Sequence, residues 1–83
     1  MYAVYILLCN KDKSLYVGCT SGLKKRIIRH ASGYVPATKD KRPLDLIYFE
    51  IIDGKAEAFN RERYFKSLWA SKFKKALKEL NLP

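Results

Sequence analysis

The stretch Leu15-Tyr16-Val17-Gly18-Cys19-Thr20-Ser21-Gly22-Leu23-Lys24-Lys25-Arg26-Ile27-Ile28-Arg29-His30 changes its spacing halfway along. Its first residues are aromatic and β-branched without helical periodicity, which predicts a short strand over 15–18 that breaks at Gly18. Beyond Ser21 and Gly22, either of which can cap a helix, Leu23, Ile27 and Ala31 fall on one helical stripe with Ile28 beside it. That predicts a helix over 22–31, stopped by Ser32-Gly33, whose apolar stripe faces a sheet. Arg26 and His30 then form an i, i+4 pair at the margin of the stripe. One strand-to-helix unit therefore carries a phenol, a guanidinium and an imidazole.

Upstream, Tyr2-Ala3-Val4-Tyr5-Ile6-Leu7-Leu8 predicts a strand over 2–8, and polar Asn10-Lys11-Asp12-Lys13-Ser14 predicts the hairpin loop that returns to 15–18. Tyr5 and Tyr16 then come from adjacent strands and can share a face. Downstream, residues 34–45 contain Pro36, Thr38, Lys39, Lys41, Arg42 and Pro43 and read as a surface loop whose cations suit a phosphate backbone. Leu46 to Ile52 supplies a third strand over 46–52, too apolar to be exposed on both faces. Asp53-Gly54 ends it, and a second helix is expected over 55–68 with Ala58, Glu62, Phe65 and Trp69 in one narrow sector. A third, over 71–80, carries Phe73, Ala76, Leu77 and Leu80 on one face.

The chain has 83 residues, so it forms one domain, 1–83, with an economical core. With 48% hydrophobic residues it has the composition of a folded protein. Lys and Arg number 17 against 8 Asp and Glu, a formal charge of +9, which points to a polyanion as partner. Nucleic acid leads over a merely solubilising surface and over a membrane surface. The first nine residues lack the pattern of a secretory signal and no run reaches transmembrane length, so a cytoplasmic location is expected. Cys9 and Cys19 are too few for a disulfide framework, show no zinc-ligand spacing with His30, and lie toward opposite ends of the hairpin; free thiols are expected.

Glu62 is the most informative single residue, because an acid within an apolar stripe is costly unless a cation, a metal or hydrogen bonds compensate it. It can hold Mg²⁺ through an oxygen, or form a structural ion pair with Arg26 or a lysine. Tyr5 and Tyr16 either pack across the strands or, with cations lowering a phenol pKa, serve as a general base. Arg26 is either a solvated helix residue or a planar fork for phosphoryl oxygens. His30 either orients water and assists proton transfer or is a helix-end histidine favoured by the dipole.

In chain order, Ala3-Val4-Tyr5, Tyr16-Val17-Gly18, Lys25-Arg26 with His30, and Glu62 within Asn60-Arg61-Glu62-Arg63 form a set. The set resembles the GIY-YIG nuclease superfamily, in particular its small single-domain, UPF0213-like members, related to the N-terminal incision domain of the bacterial excision-repair nuclease. The resemblance implies an α+β fold in which a three-stranded antiparallel sheet is flanked by helices. It implies a Mg²⁺- or Mn²⁺-dependent endonuclease that hydrolyses DNA phosphodiesters in repair or processing, with structure-directed or weak sequence preference. Tyr5, Tyr16, Arg26, His30 and Glu62 would be catalytic, with Glu62 holding the metal. One tyrosine would deprotonate water, while Gly18 would let the backbone turn closely beside the substrate. Gly18, Lys24, Lys25, Arg29, Lys39, Lys41 and Arg42 are the expected DNA contacts. The first motif has Ala-Val for Gly-Ile, the segment Cys19-Thr20-Ser21 after Gly18 includes no lysine, and Asn81 is offered for a late asparagine. DNA is the expected partner, with RNA as a second polyanion and a separate targeting protein in support. The alternative is a non-catalytic nucleic-acid-binding module on the same scaffold.

Overall fold

A computed structural model describes residues 1–67; Leu68, Trp69, the helix expected over 71–80 and Asn81 lie outside the described residues. Strands β1 (Tyr2–Cys9), β2 (Ser14–Thr20) and β3 (Leu44–Ile52) form an antiparallel sheet in the order β2-β1-β3. Helix α1 (Leu23–Ala31) follows β2, and helix α2 (Lys55–Lys66) follows β3, so the α+β architecture is the one expected. A single 3₁₀ turn, Lys39–Lys41, punctuates the loop between α1 and β3.

Because β1 is paired on both sides, its seven residues from Ala3 to Cys9 are all buried. The pleat sends alternate side chains to opposite faces. Val4 and Ile6, with Val17 of β2, meet Ala58 and Phe65 of α2 in the main core. Tyr5 and Leu7 point the other way, on the face of Gly18 and Tyr16, their partners across β1 and β2. The two helices thus cover opposite faces of the sheet.

Three sequence expectations need correction. The second strand does not break at Gly18; it continues through Gly18 to Thr20, with Gly18 paired opposite Tyr5. An ordinary extended backbone there removes the tight turn that glycine was expected to provide. In α1, Ala31 and Ile28 face solvent, Ile28 at 55% exposure, while the residue buried by the helix is His30. Periodicity ranks side chains by hydropathy, but a neutral imidazole with both ring nitrogens hydrogen-bonded can be buried at little cost. Third, neither Ser21 nor Gly22 supplies a side-chain cap to α1; the Thr20 hydroxyl instead accepts the Gly22 N–H at 3.0 Å.

The end of α1 and the following loop place one further residue of consequence. Gly33 has φ +83°, the Tyr34 N–H donates to the Arg29 carbonyl at 3.0 Å, and the Gly33 N–H donates to that of His30 at 3.1 Å. This is the Schellman ending, and it turns the chain back beneath the helix. Arg42 then clasps the loop, its Nε donating to the Lys39 carbonyl at 2.9 Å. Its Nη1 reaches the Ala31 carbonyl at 3.4 Å. Between these ties Thr38 is carried fully inside.

On the far side of the sheet, Arg61 of α2 holds Glu50 of β3 through Nε and Nη2, each 2.9 Å from a carboxylate oxygen. Tyr48 donates its hydroxyl to the same carboxylate at 2.8 Å. The Arg61 hydrogen bonds are the main reason the Glu50 carboxyl titrates below its usual range. These contacts fix α2 against β3. Phe49 and Ile51 of β3 face the other way and are half exposed, so this strand is covered on one face only.

Candidate active site

The site forms because Gly18 has no side chain. A Cβ there would lie 2.4 Å from both Cζ and the hydroxyl oxygen of Tyr5, so the phenol of the central strand extends across the glycine toward the open edge of β2. Tyr16, diagonally opposite, sets its ring 6.5 Å from that of Tyr5. His30 of α1 stands edge-on to both, at 5.7 Å from the Tyr5 ring and 5.1 Å from that of Tyr16. The Tyr5 hydroxyl and His30 Nε2 are 2.9 Å apart, and His30 Nδ1 is 2.7 Å from the Thr38 hydroxyl. Tyr5, His30 and Thr38 are each at most 1% exposed, so this chain of hydrogen bonds is sealed from water along most of its length.

Burial pushes the Tyr5 phenol well above the usual tyrosine range, with the negative charges of an ionised Tyr16 and Glu62 adding to the effect and Arg26 opposing it. At neutral pH Tyr5 is therefore a protonated phenol. Burial, and next the positive charge of Arg26, push the His30 imidazole below its ordinary value, so it is neutral at pH 7. A depressed histidine pKa makes the folded state bind fewer protons than the unfolded chain. The stability this contributes is complete above the unfolded value of about 6.5 and is lost as pH falls through the lower native value. His30 is the one histidine of the sequence, so its titration can be followed alone by NMR. The expected midpoint lies below about 6.5, and a midpoint above that value would contradict a buried, doubly bonded ring.

Arg26 sits half-buried on the same side of α1 as His30, and its charge acts on both His30 and Tyr5. Among the described residues its guanidinium has no hydrogen-bond or ion-pair partner. Glu62 approaches from α2, on the other face of the sheet. Its charge raises the pKa of both Tyr5 and Cys19, after burial in each case. Its side chain is 22% exposed, and Oε2 pairs with Lys66 Nζ at 3.1 Å. The compensating cation is thus a lysine one turn on rather than Arg26. That i, i+4 spacing was available in the sequence.

A divalent metal can be weighed against this donor set. Glu62 offers hard oxygens at a partly exposed edge, and among the described residues no group of three His, Cys, Asp or Glu side chains gathers. Mg²⁺ and Mn²⁺ suit such a place, since Mg²⁺ keeps several waters and takes one or two protein carboxylates together with substrate phosphate oxygens. A closed zinc site needs four protein ligands and does not fit.

Of the expected DNA contacts, Lys24, Lys25 and Arg29 project from the exposed side of α1 and Lys39 from the following loop. Lys41 pairs with Asp12 at 3.9 Å, and Arg42 is committed to its two backbone carbonyls. Gly18 is buried against Tyr5 and lies within the strand. The residue that sequence reasoning missed is Thr38. Nothing in its basic loop marks it, because its partner His30 is brought to it only by the turn at Gly33.

Comparison with known proteins gives the family. A family model described as the GIY-YIG catalytic domain matches residues 1–76. A UPF0213 protein of Clostridium perfringens is 48% identical over 82% of this chain and 73% of its own length. Another, from Staphylococcus saprophyticus, is 42% identical over 92% of this chain and 93% of its own. The solution NMR structure of a UPF0213 protein from Bacillus halodurans is 35% identical and superposes with a TM-score of 0.57, covering 94% of this chain and 86% of that one.

Proposed function

Since the chain belongs to the GIY-YIG family, among its UPF0213 members, we propose that it is a divalent-metal-dependent endonuclease acting on DNA. The observation that supports this reading is the packing of Tyr5, Tyr16 and His30 against one another beside Gly18, with the charges of Arg26 and Glu62 both acting on Tyr5. The family implies a nuclease with a DNA substrate; the repair or processing role, the cytoplasmic location and the structure-directed preference remain part of our proposal.

In the proposed reaction Arg26 binds a non-bridging phosphoryl oxygen pair, where its planar fork neutralises the charge that grows as the phosphate is attacked. Tyr16 is half-buried, and among the described residues its hydroxyl has no hydrogen-bond partner. In this reading Tyr16, as the phenolate, orients the attacking water and takes up its proton to become the phenol. Tyr5 stays protonated and, with His30 behind it, forms the polar floor of the site. Glu62 would hold Mg²⁺ or Mn²⁺, which supplies Lewis-acid stabilisation of the phosphate. Lys24, Lys25, Arg29 and Lys39 hold the backbone on either side.

The second reading, a binding module without catalysis, draws on the Glu62–Lys66 pair, which could satisfy the carboxylate permanently. Incubating the purified protein with flapped, branched and duplex DNA in Mg²⁺ or Mn²⁺ separates the two. Metal-dependent products are expected, and binding without products would establish the module instead. In either case four exposed cations predict a slope of log affinity against log salt of about −3 to −4 on duplex DNA. An affinity indifferent to salt would remove nucleic acid as the partner.

A further inference from the structure

We infer that Thr38 is a positioning residue that selects the Nδ1–H tautomer of His30 and so directs the Tyr5 hydroxyl proton inward, leaving the Tyr5 lone pairs to face the site. The inference rests on the proposed function for its catalytic meaning, but not for its structural content.

A neutral imidazole carries one proton on two nitrogens, so the chain Tyr5–His30–Thr38 has two polarities. In one, Tyr5 donates to Nε2 and Nδ1–H donates to Thr38. In the other, Thr38 donates to Nδ1 and Nε2–H donates to Tyr5. A phenol, with a pKa of about 10, is a far stronger donor than an alkyl hydroxyl. Its oxygen is also the poorer acceptor, since the ring withdraws its lone pair. Both comparisons favour the first polarity, Tyr5 to His30 to Thr38. Burial sharpens the choice, because Thr38 is 0% exposed and no water is at hand to rescue a mismatched nitrogen. Among the described residues no buried side-chain nitrogen or oxygen lacks a partner, so the chain has no slack.

The functional consequence is specific. With its proton turned inward, Tyr5 presents an acceptor to the water held near Tyr16 rather than a competing donor. Losing the Thr38 hydroxyl orphans the Nδ1–H, and the cheapest remedy is to move the proton to Nε2, which forces the Tyr5 hydroxyl to turn outward.

The test uses the full chain labelled with ¹⁵N. Two-bond ¹H–¹⁵N spectra of the sole histidine at pH 7.5 are expected to show Nδ1 protonated and Nε2 unprotonated. In Thr38→Val, which keeps the volume and removes the hydroxyl, the pattern is expected to change toward Nε2–H; in Thr38→Ser it is expected to remain as in the wild type. Cleavage should follow, with kcat falling about 10- to 100-fold in Thr38→Val, KM for DNA unchanged within about twofold, and near-complete rescue in Thr38→Ser. An Nε2–H tautomer in the wild type overturns the assignment without recourse to any variant. So does a tautomer indifferent to Thr38→Val. A protein that cleaves no DNA but shows the expected tautomers would refute the nuclease reading while leaving the Thr38 assignment standing.

Discussion

Glu62→Ala is expected to reduce metal-dependent cleavage about a thousandfold or more while leaving the fold intact. Removing the one carboxylate that the described residues bring to the proposed site would take away the metal's proposed protein anchor, and Lewis-acid stabilisation of a phosphoryl transition state amounts to several kcal/mol, each 1.36 kcal/mol being about tenfold in rate. The structural cost is small because the lost contact is an i, i+4 pair with Lys66, whose side chain is 54% exposed. Pairs of that kind contribute about 0.3–0.5 kcal/mol. Paired assays of cleavage and urea unfolding check both halves. Cleavage surviving in Glu62→Ala would place the metal elsewhere, and a large loss of stability would make Glu62 a structural residue after all. DNA affinity without metal should not weaken, since a negative charge is removed from a basic surface.

Gly18→Ala is the second large effect, and here stability and activity should fall together. The added methyl would sit 2.4 Å from Cζ and the hydroxyl oxygen of Tyr5, well inside contact distance, and neither strand backbone nor a buried ring gives way easily. Overpacking of this type costs about 1–3 kcal/mol. Relief requires the phenol to move off His30, leaving a buried nitrogen unsatisfied, a further cost of about 1–3 kcal/mol. Thermal unfolding should register the first effect. The second should appear as a loss of cleavage of about 10²-fold, what a displacement of about 1 Å in a site's positioning groups costs. If Gly18→Ala proved as stable and active as the wild type, Tyr5 could not occupy the place described. A glycine serving only to admit substrate would predict lost activity with unchanged stability, so the two roles are separable.

The sequence by itself determined the fold class and the order of its elements. The apolar and β-branched runs in 2–8 and 46–52 and the helical stripe of Ala58 and Phe65 are local patterns that hold in the folded chain. It also singled out Glu62, because a carboxylate at core spacing contradicts its surroundings whatever the tertiary arrangement. What the tertiary structure alone decided was orientation. Gly18 was legible as a special position, but its reason was not, since the atoms it makes room for belong to Tyr5 on the neighbouring strand. His30 was placed at a helix margin because hydropathy counts its polarity and cannot count the two hydrogen bonds that cancel it. Those bonds come from a strand 25 residues earlier and a loop 8 residues later, separations that no local pattern encodes. Thr38 carries no signal of its own for the same reason: its chemistry is that of any loop hydroxyl until the turn at Gly33 closes it over the ring.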